Sequence, residues 1–98
     1  MFNFAGTFSK LHDYKEASAR INSAIGIQKK ADTPNPKLIA DGYFELGLYS
    51  EKMQGQEDNA IKHYKLALKT YKEIGAEKCA VEISKTMNNI GIVLMEAQ

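Results

Sequence analysis

Residues 43–75 read YFELGLYSEKMQGQEDNAIKHYKLALKTYKEIG and contain two apolar faces at helical spacing, joined by the polar segment 54–59. Small residues, Gly47, Ala60 and Ala67, lie within the two predicted helices. A glycine inside a helix costs about 1 kcal/mol relative to alanine. Small residues at such positions let two helices approach closely, and packing then offsets this cost. The segment therefore predicts an antiparallel helix pair with Gly47 against Ala60 at a close crossing.

The small residues recur along the chain at a nearly constant interval. Gly91 follows Gly47 by 44 positions, and Ala60 follows Ala17 by 43 positions. An interval of this length accommodates a helix, a turn and a second helix. We therefore expect a stack of helix pairs, in which neighbouring units bury a shared core.

Apolar periodicity predicts five helices and no strand. The helices are expected over about residues 2–11, 13–30, 36–54, 56–74 and 76–97. Asp13 is a plausible N-cap of the second helix, and Asn35 followed by Pro36 is typical of a helix start. Gly55 and Gly75 lie just past predicted helix ends, where a left-handed residue is favoured.

The motif within this repeat resembles that of the tetratricopeptide repeat family. The middle unit has the family's aromatic, Leu-Gly, alanine, aromatic and alanine positions at Tyr43, Leu46, Gly47, Ala60, Tyr64 and Ala67. The third unit supplies its first helix only, with Met87, Ile90 and Gly91. The first unit is degenerate, with Met1, Phe4 and Ala5 at the corresponding positions. The resemblance covers nearly the whole chain and is strongest in the middle unit.

This resemblance implies an all-α fold, a right-handed superhelical stack of antiparallel helix pairs with about five helices in two and a half repeats. It implies one domain over residues 1–98, expected to be a fragment of a larger protein. The implied function is a non-enzymatic module that binds a protein or peptide. The alternative is the peptide-sensing part of a bacterial regulator, with a phosphatase-type or DNA-binding output domain outside this chain, because the long period resembles Gram-positive peptide-pheromone sensors. A self-assembly unit is a third possibility.

Members of this family bind extended peptides along the first helices of their units. The resemblance places nine residues of this chain there, namely Asn3, Asp41, Phe44, Glu45, Leu48, Lys85, Asn88, Asn89 and Ile92. Asparagine suits this role, because its amide offers a donor and an acceptor to a peptide backbone. The other interpretation is a solvated helix face. A C-terminal carboxylate is a disfavoured ligand, because Asp41 and Glu45 would repel it.

Composition argues against several other classes of protein. The chain has 13 basic and 12 acidic residues, a balance that disfavours nucleic acid as a partner. It has no apolar run of the roughly 18 residues that a membrane span requires. Its single cysteine, Cys79, cannot form an internal disulfide and fits a cytoplasmic location. His12 and His63 have no neighbours at metal-ligand spacing, so we expect no metal, cofactor or catalytic residue.

The last predicted helix is apolar on more than one side. Its apolar residues are Ile83, Met87, Ile90, Ile92, Val93, Leu94 and Met95. An exposed apolar strip of this kind usually marks an interface. Either a following helix has been removed from the chain, or two copies cover the strip about a two-fold axis. Both explanations predict self-association, with a homodimer through the C-terminal helix as the expected form.

Overall fold

The computed structural model of the chain describes residues 2–53 and 55–96, with side chains from Asp13 onward. These residues form four α-helices and no strand, which confirms the all-α expectation. The helices are α1 (Phe2–Lys30), α2 (Pro36–Lys52), α3 (Glu57–Ile74) and α4 (Ala80–Glu96). The main packing is between consecutive helices, α1 on α2, α2 on α3 and α3 on α4.

Helix α1 corrects the predicted division into five helices. The segments expected as separate helices over residues 2–11 and 13–30 form one helix of 29 residues. Asp13 lies inside this helix and is not an N-cap. The sequence between residues 7 and 25 contains neither proline nor glycine, so no residue there interrupts the helix. Between α2 and α3, in contrast, Gly55 has a φ of 83°, which glycine adopts without steric cost.

The start of α2 agrees with the sequence. Asn35 is extended, and its side-chain oxygen accepts hydrogen bonds from the backbone N–H groups of Lys37 at 3.0 Å and Leu38 at 3.3 Å. These bonds satisfy donors that a helix start would leave unpaired. Pro36 occupies the first helical turn, where its missing N–H is not needed.

Helix α3 ends at Gly75, as expected. The φ of this glycine is 146°, and its backbone N–H donates to the carbonyl oxygen of Tyr71 at 3.1 Å. Residues 76–79 form a turn, so α4 begins at Ala80, four residues later than predicted.

The core lies along α3, between α2 and α4. It consists of two clusters of buried residues, Ala40, Ala67, Tyr71 and Cys79 in one and Ala60, Tyr64 and Val93 in the other. The three alanines have no exposed surface, which shows how closely the helices approach at these positions.

Gly47 makes a close approach to α3, where the nearest atoms belong to Tyr64. A Cβ atom on Gly47 would lie 2.5 Å from Cδ1 and Cε1 of Tyr64, and 2.9 Å from its Cζ. Ala60, the predicted partner, is buried one turn earlier on α3. The glycine makes room for an aromatic ring that belongs to the same core cluster as Ala60.

Helix α1 is held against α2 by a similar approach. A Cβ atom on Gly42 would lie 2.9 Å from Cδ1 and Cγ1 of Ile25, which is buried. The rings of Tyr14 and Tyr49 lie 5.7 Å apart between their centroids. The second half of α1 therefore packs on α2, the helix that follows it in the sequence. None of the helices in the described ranges combines the length and the hydropathy needed to cross a membrane.

Candidate functional site

An open cavity lies between α2 and α4, with α3 beneath it. Its volume is about 240 Å³, and its lining comprises Asp41, Phe44 and Glu45 of α2, Tyr71 of α3, and Glu82 and Lys85 of α4. We call this cavity the α2–α4 groove. It exists because α2 and α4 both pack on α3 and leave a depression where they face one another.

Helical geometry brings the α2 residues to the groove. Asp41 and Glu45 are four positions apart, which places both carboxylates on one face of the helix. Phe44 lies beside them and is half-buried. Its ring packs against Tyr64 in a tilted arrangement, with 5.6 Å between centroids. The groove therefore combines an apolar floor with charged walls.

Asp41 is engaged within the protein through both of its oxygens. The hydroxyl of Tyr71 donates to Oδ1, and Nζ of Lys37 lies 3.4 Å from Oδ2. The same ammonium group lies 3.3 Å from Oε2 of Glu82, so Lys37 links α2 to α4 at one end of the groove. These ion pairs are partly exposed and contribute little to stability. Their main effect is to fix the position of Asp41.

The titration of this network keeps its donors protonated. Burial, reinforced by the hydrogen bond to Asp41, raises the pKa of Tyr71 well above its ordinary value of 10.0. The hydrogen bond to Glu82 and the nearby charge of Asp41 raise the pKa of Lys37 above 10.5. Both groups therefore carry their protons at neutral pH, and neither has the properties of a general base.

Glu45 and Lys85 are the most exposed charged residues of the groove, since the side chains of Asp41 and Glu82 are 41% and 31% exposed. Both are exposed, on α2 and α4 respectively. In the described part of the chain, neither of them takes part in an ion pair. A negative and a positive group thus lie on opposite walls, with Phe44 between them.

The groove contains four of the nine residues that the resemblance placed at a peptide site: Asp41, Phe44, Glu45 and Lys85. Leu48 packs instead beside the core cluster of Ala60 and Tyr64. The half-buried Asn89 donates its amide to the hydroxyl of Tyr64 at 3.5 Å. Asn88 and Ile92 are exposed on α4 outside this lining, and the side chain of Asn3 lies outside the described side chains.

Sequence reasoning missed Lys37, Tyr71 and Glu82. The spacing of Lys37 and Asp41 is the usual one for an ion pair on a helix, and it could have been found. The ring of Tyr71 lies in the core, and a buried tyrosine needs a hydrogen-bond partner for its hydroxyl. The approach of Glu82 depends on the packing of α4 beside α2 and has no local signal.

Tyr64 resembles Tyr71, because its ring lies in the core and its hydroxyl donates to a carboxylate nearer the surface. Its ring is fully buried, and its hydroxyl donates to Oε1 of Glu51 at 2.6 Å. Burial, followed by the bond to Glu51, raises its pKa well above the ordinary range. Core packing of the ring and the hydrogen bond of its hydroxyl to Glu51 therefore both hold Tyr64 in place against Gly47.

The groove is open, and its lining among the described residues consists of three carboxylates, one lysine, one phenylalanine and one tyrosine. Among the described residues no group of three or more His, Cys, Asp or Glu side chains is placed to hold a metal ion. The free thiol of Cys79 is buried in the core. Comparison of the chain with protein-family models, with curated proteins and with solved structures gave no match.

Proposed function

We propose that this chain is a non-enzymatic, tetratricopeptide-like interaction module that binds an extended segment of a protein or peptide in the α2–α4 groove. The observation that supports the proposal is the meeting of Asp41, Phe44, Glu45 and Lys85 at one open cavity. The family pattern suggested these residues independently of the cavity. A right-handed superhelical stack of repeats is part of the same proposal, and the covering of Gly47 by Tyr64 supports it.

The chemistry of the groove suits a peptide backbone. The ammonium group of Lys85 can donate to carbonyl oxygens along one edge of an extended strand, and the carboxylate of Glu45 can accept from N–H groups along the other. Phe44 offers an apolar surface to a side chain that points into the groove. Each oxygen of Asp41 already has a partner within the chain, so we assign the contact with the ligand to Glu45.

A cytoplasmic location belongs to the proposal. Cys79 is the chain's one cysteine, and it lies buried as a free thiol. A protein of this kind needs no oxidising environment to reach its fold.

Selection of short random peptides displayed on phage, against the immobilised protein, tests the function. Selected peptides should lose about tenfold in affinity for the Lys85→Ala and Glu45→Ala variants, equivalent to about 1.4 kcal/mol. The melting temperature should not change, because both side chains are exposed. Lys52→Ala removes an exposed lysine at the far end of α2 and should bind like the wild type. Asn89→Ala should lower both affinity and stability, because Asn89 contacts Tyr64.

Chemical-shift mapping of a selected peptide shows whether the peptide binds outside the α2–α4 groove, which would contradict the proposal. Perturbations confined to the exposed faces of α1 and α3, with unchanged affinity for the Lys85 and Glu45 variants, would assign the binding surface elsewhere.

A further inference from the structure

One face of α4 has no helix against it in the described part of the chain. A Cβ atom on Gly91 would have nothing within 4 Å. Met87 and Leu94 are 55% and 50% exposed, and helical spacing places both on the same face as Gly91 and Ser84. This face carries no charged residue. We call it the α4 face.

The same positions of α2 are covered. Ala40, Tyr43, Gly47 and Ser50 precede the α4-face residues by 44 positions each. Ala40, Gly47 and Ser50 are buried, and Tyr43 packs against the cluster that contains Ala67. The covering element is α3, whose Tyr64 ring lies against Gly47. The α4 face therefore repeats the surface to which α3 binds on α2.

Helix α1 exposes the complementary surface. On α3, Ala60 and Ala67 lie in the two core clusters and have no exposed surface. The residues 43 positions earlier are Ala17, which is half-buried, and Ala24, which is exposed. One turn further along, Ile27 is 69% exposed. We call these three residues the α1 face.

We infer that the α4 face of one copy of this chain binds the α1 face of a second copy, as α2 binds α3 within each chain. Ile21 lies between Ala17 and Ala24 in the repeat and also approaches Gly42 of its own chain. In the second copy it then lies against Gly91, in the place that Tyr64 takes against Gly47. The second copy is the occupant because α1 repeats the small-residue spacing of α3. Helix α1 also packs against the following helix α2, as α3 packs against α4.

This contact is heterologous, since each copy offers one face of each kind. Association therefore continues head to tail, and the mean mass rises with concentration beyond that of a dimer. Pairing of two α4 helices about a two-fold axis, the arrangement expected from the sequence, would stop at a dimer and leave the α1 face uncovered. The inference rests on the covering of α2 by α3 and does not require a peptide in the α2–α4 groove. Glu45 does border the α1 face, because it lines a second cavity together with Ala24 and Ile27.

Two variants that each block one face test the inference by sedimentation equilibrium. Gly91→Lys blocks the α4 face, and Ala24→Lys blocks the α1 face. Each variant alone should be a monomer at concentrations where the wild type forms species larger than a dimer. An equimolar mixture should form a one-to-one heterodimer and nothing larger, because each partner keeps the face that the other lacks.

Matched controls introduce the same charge outside the two faces. Val81 is 67% exposed on α4 and corresponds to the exposed Lys37 of α2. Ala19 is exposed on α1 and lies outside the α1 face. Val81→Lys and Ala19→Lys should associate like the wild type. Circular dichroism at low concentration verifies that every variant is folded, and Leu94→Lys replaces Gly91→Lys if that variant unfolds.

Three results would overturn the inference. A wild-type chain that stays monomeric at high concentration has no such contact. An Ala24→Lys variant that still forms dimers uses a two-fold contact between α4 helices. A mixture of the two variants that remains monomeric shows that the two faces do not bind one another.

Discussion

The effect of a glycine depends on the side chain that it faces. Gly47 and Gly91 share a repeat position, but a side chain at 47 would enter the Tyr64 ring and one at 91 would meet nothing. Gly47→Leu should therefore cost about 1–3 kcal/mol or more through overpacking. Gly91→Ala should stabilise the chain by up to about 1 kcal/mol through helix propensity. Urea denaturation of the monomeric chain measures both, and equal effects at the two glycines would contradict the assignment.

His63 makes the stability of the fold depend on pH. Burial, followed by the charge of Lys62, lowers its pKa below the ordinary value of 6.5. The unfolded chain therefore binds a proton in a range where the folded chain does not. The free energy of unfolding should fall as the pH decreases from about 6.5 towards the folded-state pKa. Urea denaturation at about pH 7.5 and about pH 5.5 measures this loss of stability. The loss should be smaller in the His63→Gln variant. An equal loss in that variant would exclude His63 as its source.

Helix boundaries could be predicted where their cause is local. The cap of α2 depends on Asn35 and Pro36, which are adjacent in sequence, and the buried stripe of α3 follows from its period. The break near residue 12 was wrong, because it depended on Asp13 as an N-cap although neither proline nor glycine interrupts the helix there. The contact of Tyr71 with Asp41 could not be predicted, because it depends on how two helices pack.

The cap of α2 gives a test for this element. Asn35→Ala should lower the free energy of unfolding by about 1 kcal/mol, because two backbone N–H groups lose their acceptor. Asn35→Asp should retain most of that stability. Asn22→Ala, at an exposed position inside α1, should act in the opposite direction through helix propensity. Thermal melts compare the three, and a stable Asn35→Ala variant would show that the cap contributes nothing.

For the entire chain, the sequence predicts an all-α stack. Which helix faces are covered and which are exposed is seen only in the packing of the structure. The period of 43 to 44 residues places equivalent residues on α1 and α3 and on α2 and α4. Which of these residues are covered depends on the neighbours that each helix has. The covered pair and the two uncovered faces therefore share the small residues of the repeat, whereas their larger residues differ, with Met87 in place of Tyr43 and Ile21 in place of Tyr64.

Packing between neighbours in sequence also determines how such a chain folds and opens. Its helices meet after short loops, so little loop-closure entropy opposes their association, and folding should be fast. Among the described residues, α2 and α3 each pack extensively on two neighbouring helices, whereas α1 packs mainly on α2 and α4 mainly on α3. Amide hydrogen exchange in the monomer should therefore be slowest in α2 and α3 and faster towards both ends. The protein would lose its structure from the outside inward, with the Gly47–Tyr64 contact among the last to open.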